Sequence, residues 1–567
     1  MRPLESCLSA NAFLHVPSSS SSLSSVRKLR RTLVFFVPGN PGLIGYYHPF
    51  LALVARGLRG GVERGRGRER GHADEHGPGE GAVNEEDEYD GSGERCAQAV
   101  VAGFSLGGFE VDEEETAPQR GQKNSQVREA TENEKDKRDE DDDNDNNGIP
   151  AAGPRRSTTE DRELLYPPTF PCPSHRAQQQ QQQEKDKKKA NSEEANGTAA
   201  EEQQQQHTIY TLREQIELSY ARVEYLVQRL SAANITISSE PPEPVVVHVV
   251  LVGHSVGAYI ALELVRLWHE RHHHHHHHHQ LAAPSSHTAA DSAGRDGDSS
   301  ETRTPSSSSR PSPSPSWSVS TCILLTPTIQ DIHLSPSGRL ATPALSYLSF
   351  LPGLAHMLLH TVLLRVLPPA WFSALVARLT GMHPGSHGFE ATMAFLKSRR
   401  GVKQALFMAR AEMQEIRSDA WGREVWGASH GDGTTGVEGE RGTSTRSSSP
   451  RLFFWFAKKD HWIADVTKEA IFRSKAGDIG VLRDSLARPR PNLESEETKE
   501  VVTVEDQTSG RATTTTRAAK IHILETEAMV HAWCLNQSEF VARRVSRWLR
   551  DVLDEDNSLQ DTTVCAL

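Results

Sequence analysis

A serine becomes an effective nucleophile when a nearby base takes its proton and a third group holds that base in place. The chain offers such a serine in Gly253-His254-Ser255-Val256-Gly257, inside VVVHVVLVGHSVGAYIALELVRLW (residues 245–268). A Val-rich run of strand type leads in and a helix-forming segment leads out, the setting in which G-x-S-x-G carries chemistry. Small residues at Gly253 and Gly257 let the chain turn sharply and let strand and helix approach, so Ser255 Oγ would stand exposed at the end of a sheet. Ser255 is the candidate nucleophile. The oxyanion formed by its attack on an ester carbonyl needs fixed N–H donors. Val256, directly after the serine, supplies one from its backbone. Pro38-Gly39-Asn40-Pro41-Gly42, delivered by the apolar run TLVFFV (32–37), supplies the other from the backbone of Asn40, with Gly39 and Gly42 shaping the loop.

The motif alone is weak, because Gly103-Phe104-Ser105-Leu106-Gly107 repeats it. There the strand is short and EVDEEETAPQRGQKNSQ follows where a packed helix is required, so Ser105 reads as a strand end entering an insertion. The favoured acid is Asp460, just after the aromatic strand RLFFWFA (451–457); Asp331, after CILLTPT, and Asp465 are alternatives. The favoured base is His531, which follows the last strand KIHIL (520–524) and opens the final helix. His461 is too close to Asp460 in sequence to be presented to it easily.

These side chains need a scaffold that gathers strand ends on one edge. Strands alternate with helical segments along the chain, including an amphipathic one over 208–230 with Leu212, Ile216, Tyr220, Val223, Val227 and Leu230 on one face. That alternation predicts an α/β class: a mostly parallel sheet with helices on both faces. The order Ser255, Asp460, His531 is the order of α/β-hydrolases. Residues 1–31 form a polar segment, 32–556 a single α/β-hydrolase domain, and 557–567 a tail. Long insertions interrupt the domain near 59–95, 110–206, 272–316, 428–450 and 474–517. Hydrophobic residues make up 36% and aromatics 6% of 567 residues, below the roughly 45–50% apolar share of a globular domain. The insertions, rich in Gln, acidic residues, Ser and Pro, are too polar to offset their ordering entropy and are expected to stay unstructured. Eight histidines, 272–279, read as part of such a linker.

Residues 340–364 hold no Asp, Glu, Lys or Arg. Pro343, Pro352 and Pro368-Pro369 break the apolar run, so it reads as a helical cap near 338–400, which either also meets a lipid surface, with Leu351, Leu354, Met357, Leu358 and Trp371 as contacts, or is a core-only helical pair. The net charge of -12 leaves no basic face for nucleic acid. Six cysteines without C-x-x-C spacing point to a reducing compartment and to neither disulfide framework nor metal site. No cofactor is called for. Residues 1–31 lack a secretory apolar core; their Ser-rich RKLRR end faintly resembles a transit peptide, with edge strands as the other reading.

VPGNPGLIGYYHPFL, GHSVGAYIALEL, LLTPTIQDIHLSPSGRL, FFWFAKKDHWIAD and VHAWCL resemble, in order, the signature segments of the lipid droplet-associated hydrolase family, a branch of α/β-hydrolase serine esterases. The resemblance implies a nucleophile at Ser255, an acid at Asp460 and a base at His531. It implies a neutral lipid ester as substrate, a sterol ester or an acylglycerol, met on the cytosolic side of a lipid droplet or the endoplasmic reticulum. An acyltransferase with the same triad, or a weakly active lipid-droplet adaptor, stays open. VVAGFSLGG stands where the family commonly carries a histidine-containing segment, and few residues precede the first buried strand, so antiparallel edge strands are expected to be short or missing.

Overall fold

The structure, a computed structural model, describes residues 4–17, 31–59, 99–111, 158–170, 209–232, 246–280, 317–348, 350–426, 449–475, 498–501 and 521–564. Its centre is one nine-stranded sheet: β1 (Cys7–Ser9), β2 (Ala12–His15), β3 (Arg31–Val37), β4 (Ala99–Phe104), β5 (Val247–His254), β6 (Trp317–Leu325), β7 (Arg451–Ala457), β8 (Thr498–Val501) and β9 (Ile521–Thr526). The spatial order is β1-β2-β4-β3-β5-β6-β7-β9-β8. The six strands from β4 to β9 are parallel; β1 and β2 add an antiparallel edge on one side and β8 on the other. This is the α/β-hydrolase fold.

The central strands are apolar on both faces because both are covered. Alternate residues enter two separate cores. Leu33, Phe35, Val249, Leu251, Cys322, Leu324, Leu452 and Phe454 pack on one side. Val34, Phe36, Val250, Val252, Ile323, Leu325, Phe453 and Trp455 pack on the other. The second side is closed by α1 (His48–Arg59) lying on the long C-terminal helix, which spans Ser538–Val564. The two helices approach closely at Gly57, where a Cβ would meet Ser546 Oγ at 2.7 Å. The first side is closed by α3 (Leu212–Ala232) and α4 (Val256–Gln280).

The antiparallel edge strands β1 and β2 are present and, as expected, short. Several other expectations need correction. The stretch 110–206 is not wholly without structure: α2 (Thr158–Leu165) and the turn to Phe170 pack against the domain. Their partner is Arg222 of α3, fully buried, whose Nε donates to the Leu165 carbonyl at 2.9 Å and Nη1 to the Ser105 carbonyl at 2.8 Å. Helix α4 continues through the histidine run, and β8 lies within 474–517. The final helix begins at Ser538, after a 3-10 turn at Trp533–Leu535, and crosses the expected boundary at 557. Apart from a few residues at their ends, the rest of the insertions lie outside the described residues.

The cap is a run of short helices with proline in the first turn of three of them, while Pro343, expected to break the run, lies inside the first helix. Ser335 caps α5 (Pro336–Tyr347) by accepting from the Gly338 N–H at 2.9 Å. α6 (Leu351–Met357) runs on through a π-helical stretch (Leu358–Leu363) to Val366. Pro369 opens α7 (Pro369–Thr380), which stops at the left-handed Gly381. α8 (His387–Lys397) and α9 (Gly401–Glu415) follow, and α10 (Arg423–Trp426) leads out. Leu359, Phe372, Val376, Phe389 and Met393 form a small core within the cap. Its outer side leaves Leu340, Tyr347, Phe350, Val366, Trp371 and Leu379 at least 60% exposed. Among the described residues no single helix is long and apolar enough to cross a membrane; the pair Pro336–Tyr347 and Leu351–Val366, bent by 90°, passes on length and composition.

Candidate active site

Ser255 sits between the end of β5 and the start of α4 with φ 54°. The left-handed conformation lifts its side chain out of the sheet edge, and the surroundings impose it. The Ser255 N–H donates to the Leu325 carbonyl, and its own carbonyl accepts from Ala258 and Thr328. The flanking glycines are steric necessities. A Cβ on Gly253 would fall 2.4 Å from the Gly257 carbonyl oxygen, and one on Gly257 would fall 2.2 Å from that of Val37. The loop after β3 presses on the same turn through Gly39, where a Cβ would lie 2.9 Å from Ser255 Cβ, and on the turn of the second G-x-S-x-G through Gly42, where one would lie 2.6 Å from Leu106 Cβ.

Beside Ser255 the ends of β7 and β9 deliver the other two groups. His531 Nε2 lies 3.0 Å from Ser255 Oγ, and His531 Nδ1 lies 2.9 Å from Asp460 Oδ2. The second carboxylate oxygen accepts from the Trp462 N–H at 2.8 Å. Burial alone would raise the Asp460 pKa; the hydrogen bond and charge of His531, with the Trp462 N–H, outweigh it and hold the carboxyl below its ordinary value. An ionised Asp460 fixes the proton of His531 on Nδ1, so Nε2 faces the serine as an acceptor.

The alternatives are engaged elsewhere. Asp331 accepts from Thr467 Oγ1 at 3.1 Å. The Asp465 side chain is 85% exposed opposite Lys468. His461 is exposed and offers its backbone carbonyl to the Ser337 N–H. Ser105 is fully buried and its Oγ accepts from the Ile44 N–H at 3.1 Å, while Leu106 N–H donates to the Gly42 carbonyl. The second G-x-S-x-G is therefore a fastener for the loop that follows β3.

Val256 is the first residue of α4, so its N–H has no intrahelical acceptor and lies at the positive end of the helix dipole. Asn40, joined to Pro41 by a cis bond, turns its side chain away. Its Nδ2 donates to the Ala405 carbonyl at 3.0 Å and to Glu412 Oε1 at 2.9 Å, both on α9. Burial pushes the Glu412 carboxyl up to about 8, against the opposing pull of Asn40. The Gly39 N–H donates to Tyr47 Oη at 3.1 Å.

A sequence model described as lipid-droplet associated hydrolase matches residues 30–139 and 176–487, most of the chain. The chain belongs to that family. The matched stretches hold Asn40, Ser255 and Asp460; His531 lies beyond them. The structure brings Ser255, His531 and Asp460 into one hydrogen-bonded row, with Asn40 and Val256 beside the serine. Of the expected lipid contacts on the cap, Leu354, Met357, Leu358 and Trp371 are exposed and Leu351 is half-buried. Three residues that the sequence did not single out also belong to the site: Tyr47, His254 and Glu412. Two of them sit inside quoted motifs, as the second tyrosine of GLIGYY and the variable position of the elbow; Glu412 shows only as a polar residue on the buried face of a helix.

Proposed function

We propose that this member of the family is a serine esterase that cleaves neutral lipid esters, sterol esters or acylglycerols, through an acyl-enzyme. The hydrogen-bonded row Ser255–His531–Asp460 at the C-terminal edge of the sheet carries the proposal. His531 Nε2 takes the Ser255 proton as Oγ attacks the ester carbonyl. The oxyanion lies against the backbone N–H groups of Val256 and Asn40, where one lost donor costs about 10²–10³ in kcat. The tetrahedral species collapses, the C–O bond to the alcohol breaks, and His531 returns the proton to the leaving alcohol. Water, deprotonated by His531, then attacks acyl-Ser255 and releases the carboxylic acid. Asp460 orients the imidazole and stabilises its charged form throughout.

The choice of a lipid ester rests on the family and on the exposed apolar cap beside the site. A cap presenting Leu354, Met357, Leu358 and Trp371 suits contact with the surface of a lipid droplet or the cytosolic side of the endoplasmic reticulum. The test is release of fatty acid from emulsified cholesteryl oleate and trioleoylglycerol, with water alone and with an added alcohol acceptor. Wild type is expected to release free acid and Ser255→Ala to release none above background. Equal activity of Ser255→Ala would contradict the reading, and ester formed in preference to acid would make the protein an acyltransferase.

A further inference from the structure

His254, directly before Ser255, is buried, and both its ring nitrogens are engaged. Nε2 lies 2.9 Å from the backbone carbonyl of His531, and Nδ1 lies 2.7 Å from Tyr47 Oη. A carbonyl only accepts, so Nε2 carries the proton. Burial foremost, and then the neighbouring His531, push the His254 pKa down to about 3, against the opposing influence of the His531 carbonyl and Asp460. The ring is therefore neutral, Nδ1 is an acceptor, and Tyr47 Oη–H must donate to it. Tyr47 Oη in turn accepts from the Gly39 N–H at 3.1 Å. Every proton in the chain Gly39 N–H to Tyr47 Oη–H to His254 Nδ1, and His254 Nε2–H to His531 carbonyl, has a single direction.

We propose that His254 and Tyr47 are positioning residues for the acyl-transfer step, tying the oxyanion loop, the nucleophile turn and the loop of the catalytic histidine into one register. This rests on the serine hydrolase reading above. Gly39 neighbours the Asn40 donor, His254 neighbours the serine, and the carbonyl held by His254 belongs to the histidine that faces Ser255 Oγ. The three loops are far apart in sequence, and two bonds connect them directly, Tyr47 to His254 across 207 positions and His254 to His531 across 277. The rings are held by packing: Tyr47 against Phe36 and Trp533, His254 edge-on to Trp533 and near His531. The buried Cys534 thiol lies beside Tyr47 Oη. A displacement of about 1 Å at a reacting group can cost about 10²-fold in rate, so a bond that fixes the base is felt in kcat.

The test uses full-length protein with 4-nitrophenyl butyrate, a soluble ester that does not depend on lipid contact. Tyr47→Phe keeps the ring and removes the hydroxyl. His254→Leu removes both bonds, whereas the amide of His254→Gln keeps a donor and an acceptor at a spacing close to that of the imidazole nitrogens. We expect kcat to fall about 10- to 100-fold in Tyr47→Phe and His254→Leu with KM within about twofold of wild type, and His254→Gln to recover most of the loss. Rates are taken per site titrated with a fluorophosphonate, so a misfolded fraction does not enter them, and Tyr47→Phe carries the test if His254→Leu does not fold. Wild-type kcat in Tyr47→Phe, or equal losses in the Gln and Leu variants, would overturn the positioning role while leaving an active wild type and an inactive Ser255→Ala in place. An inactive wild type would overturn the hydrolase reading and this one with it.

Discussion

At Glu412 a carboxyl group sits fully inside the protein with, among the described residues, only the amide of Asn40 as a side-chain hydrogen-bond partner. Desolvation favours its neutral form, so its proton is held up to about pH 8 in the folded state and released near 4.5 in the unfolded chain. Between those values the folded state binds the extra proton, and stability falls as pH rises through the window. Glu412→Gln keeps an acceptor for Asn40 Nδ2 and removes the titration. Chemical denaturation from pH 5 to pH 8 is therefore expected to show a flatter stability profile for the variant, with a relative gain of about 2–4 kcal/mol at pH 8. Parallel profiles for the two proteins would contradict the buried neutral acid. The same residue shows where reading the sequence stops. Ser255, Asp460 and His531 were legible because each follows an apolar strand, and chain order does the rest. Glu412, Tyr47 and His254 act through bonds to partners as far as 372 positions away, and no local pattern records such a bond.

Among the elements, the cap was legible as an uncharged stretch broken by prolines, and the structure places Pro352 and Pro369 in the first turns of helices but Pro343 inside α5, where it breaks nothing. Its outward face follows from the small size of its own core: a cluster around Leu359, Phe372 and Val376 cannot cover every apolar side chain the segment carries. If that face meets a lipid surface, replacing Leu354 and Trp371 together with Asp and Glu removes two apolar contacts and adds charge. Flotation with trioleoylglycerol droplets coated in phosphatidylcholine is expected to show binding reduced at least about tenfold, a loss of about 1.4 kcal/mol or more. Turnover of 4-nitrophenyl butyrate should be unchanged. Undiminished flotation would show that another surface makes the contact. The helix at Thr158–Leu165 was illegible for the opposite reason. Its neighbourhood is polar, and what orders it is Arg222 of a later helix, which reaches the Leu165 and Ser105 carbonyls at once.

Across the whole molecule, the alternation of strands and helices was enough to give a parallel sheet, since strands apolar on both faces need cover on both sides. The insertions left that sheet intact because they leave and re-enter at strand and helix ends, where added loop length has a small thermodynamic cost. The sheet order then does what sequence distance hides: β3, β5, β7 and β9 bring Asn40, Ser255, Asp460 and His531 to one edge. The chain nevertheless carries two G-x-S-x-G turns, one at that edge with a histidine at 3.0 Å and one buried with its hydroxyl accepting a backbone N–H. Fluorophosphonate labelling of the folded full-length protein, followed by peptide mapping of the adduct, separates them in a single measurement. One adduct is expected, on Ser255, lost in Ser255→Ala and retained in Ser105→Ala. No adduct on the folded protein, or an adduct that persists in Ser255→Ala, would contradict it.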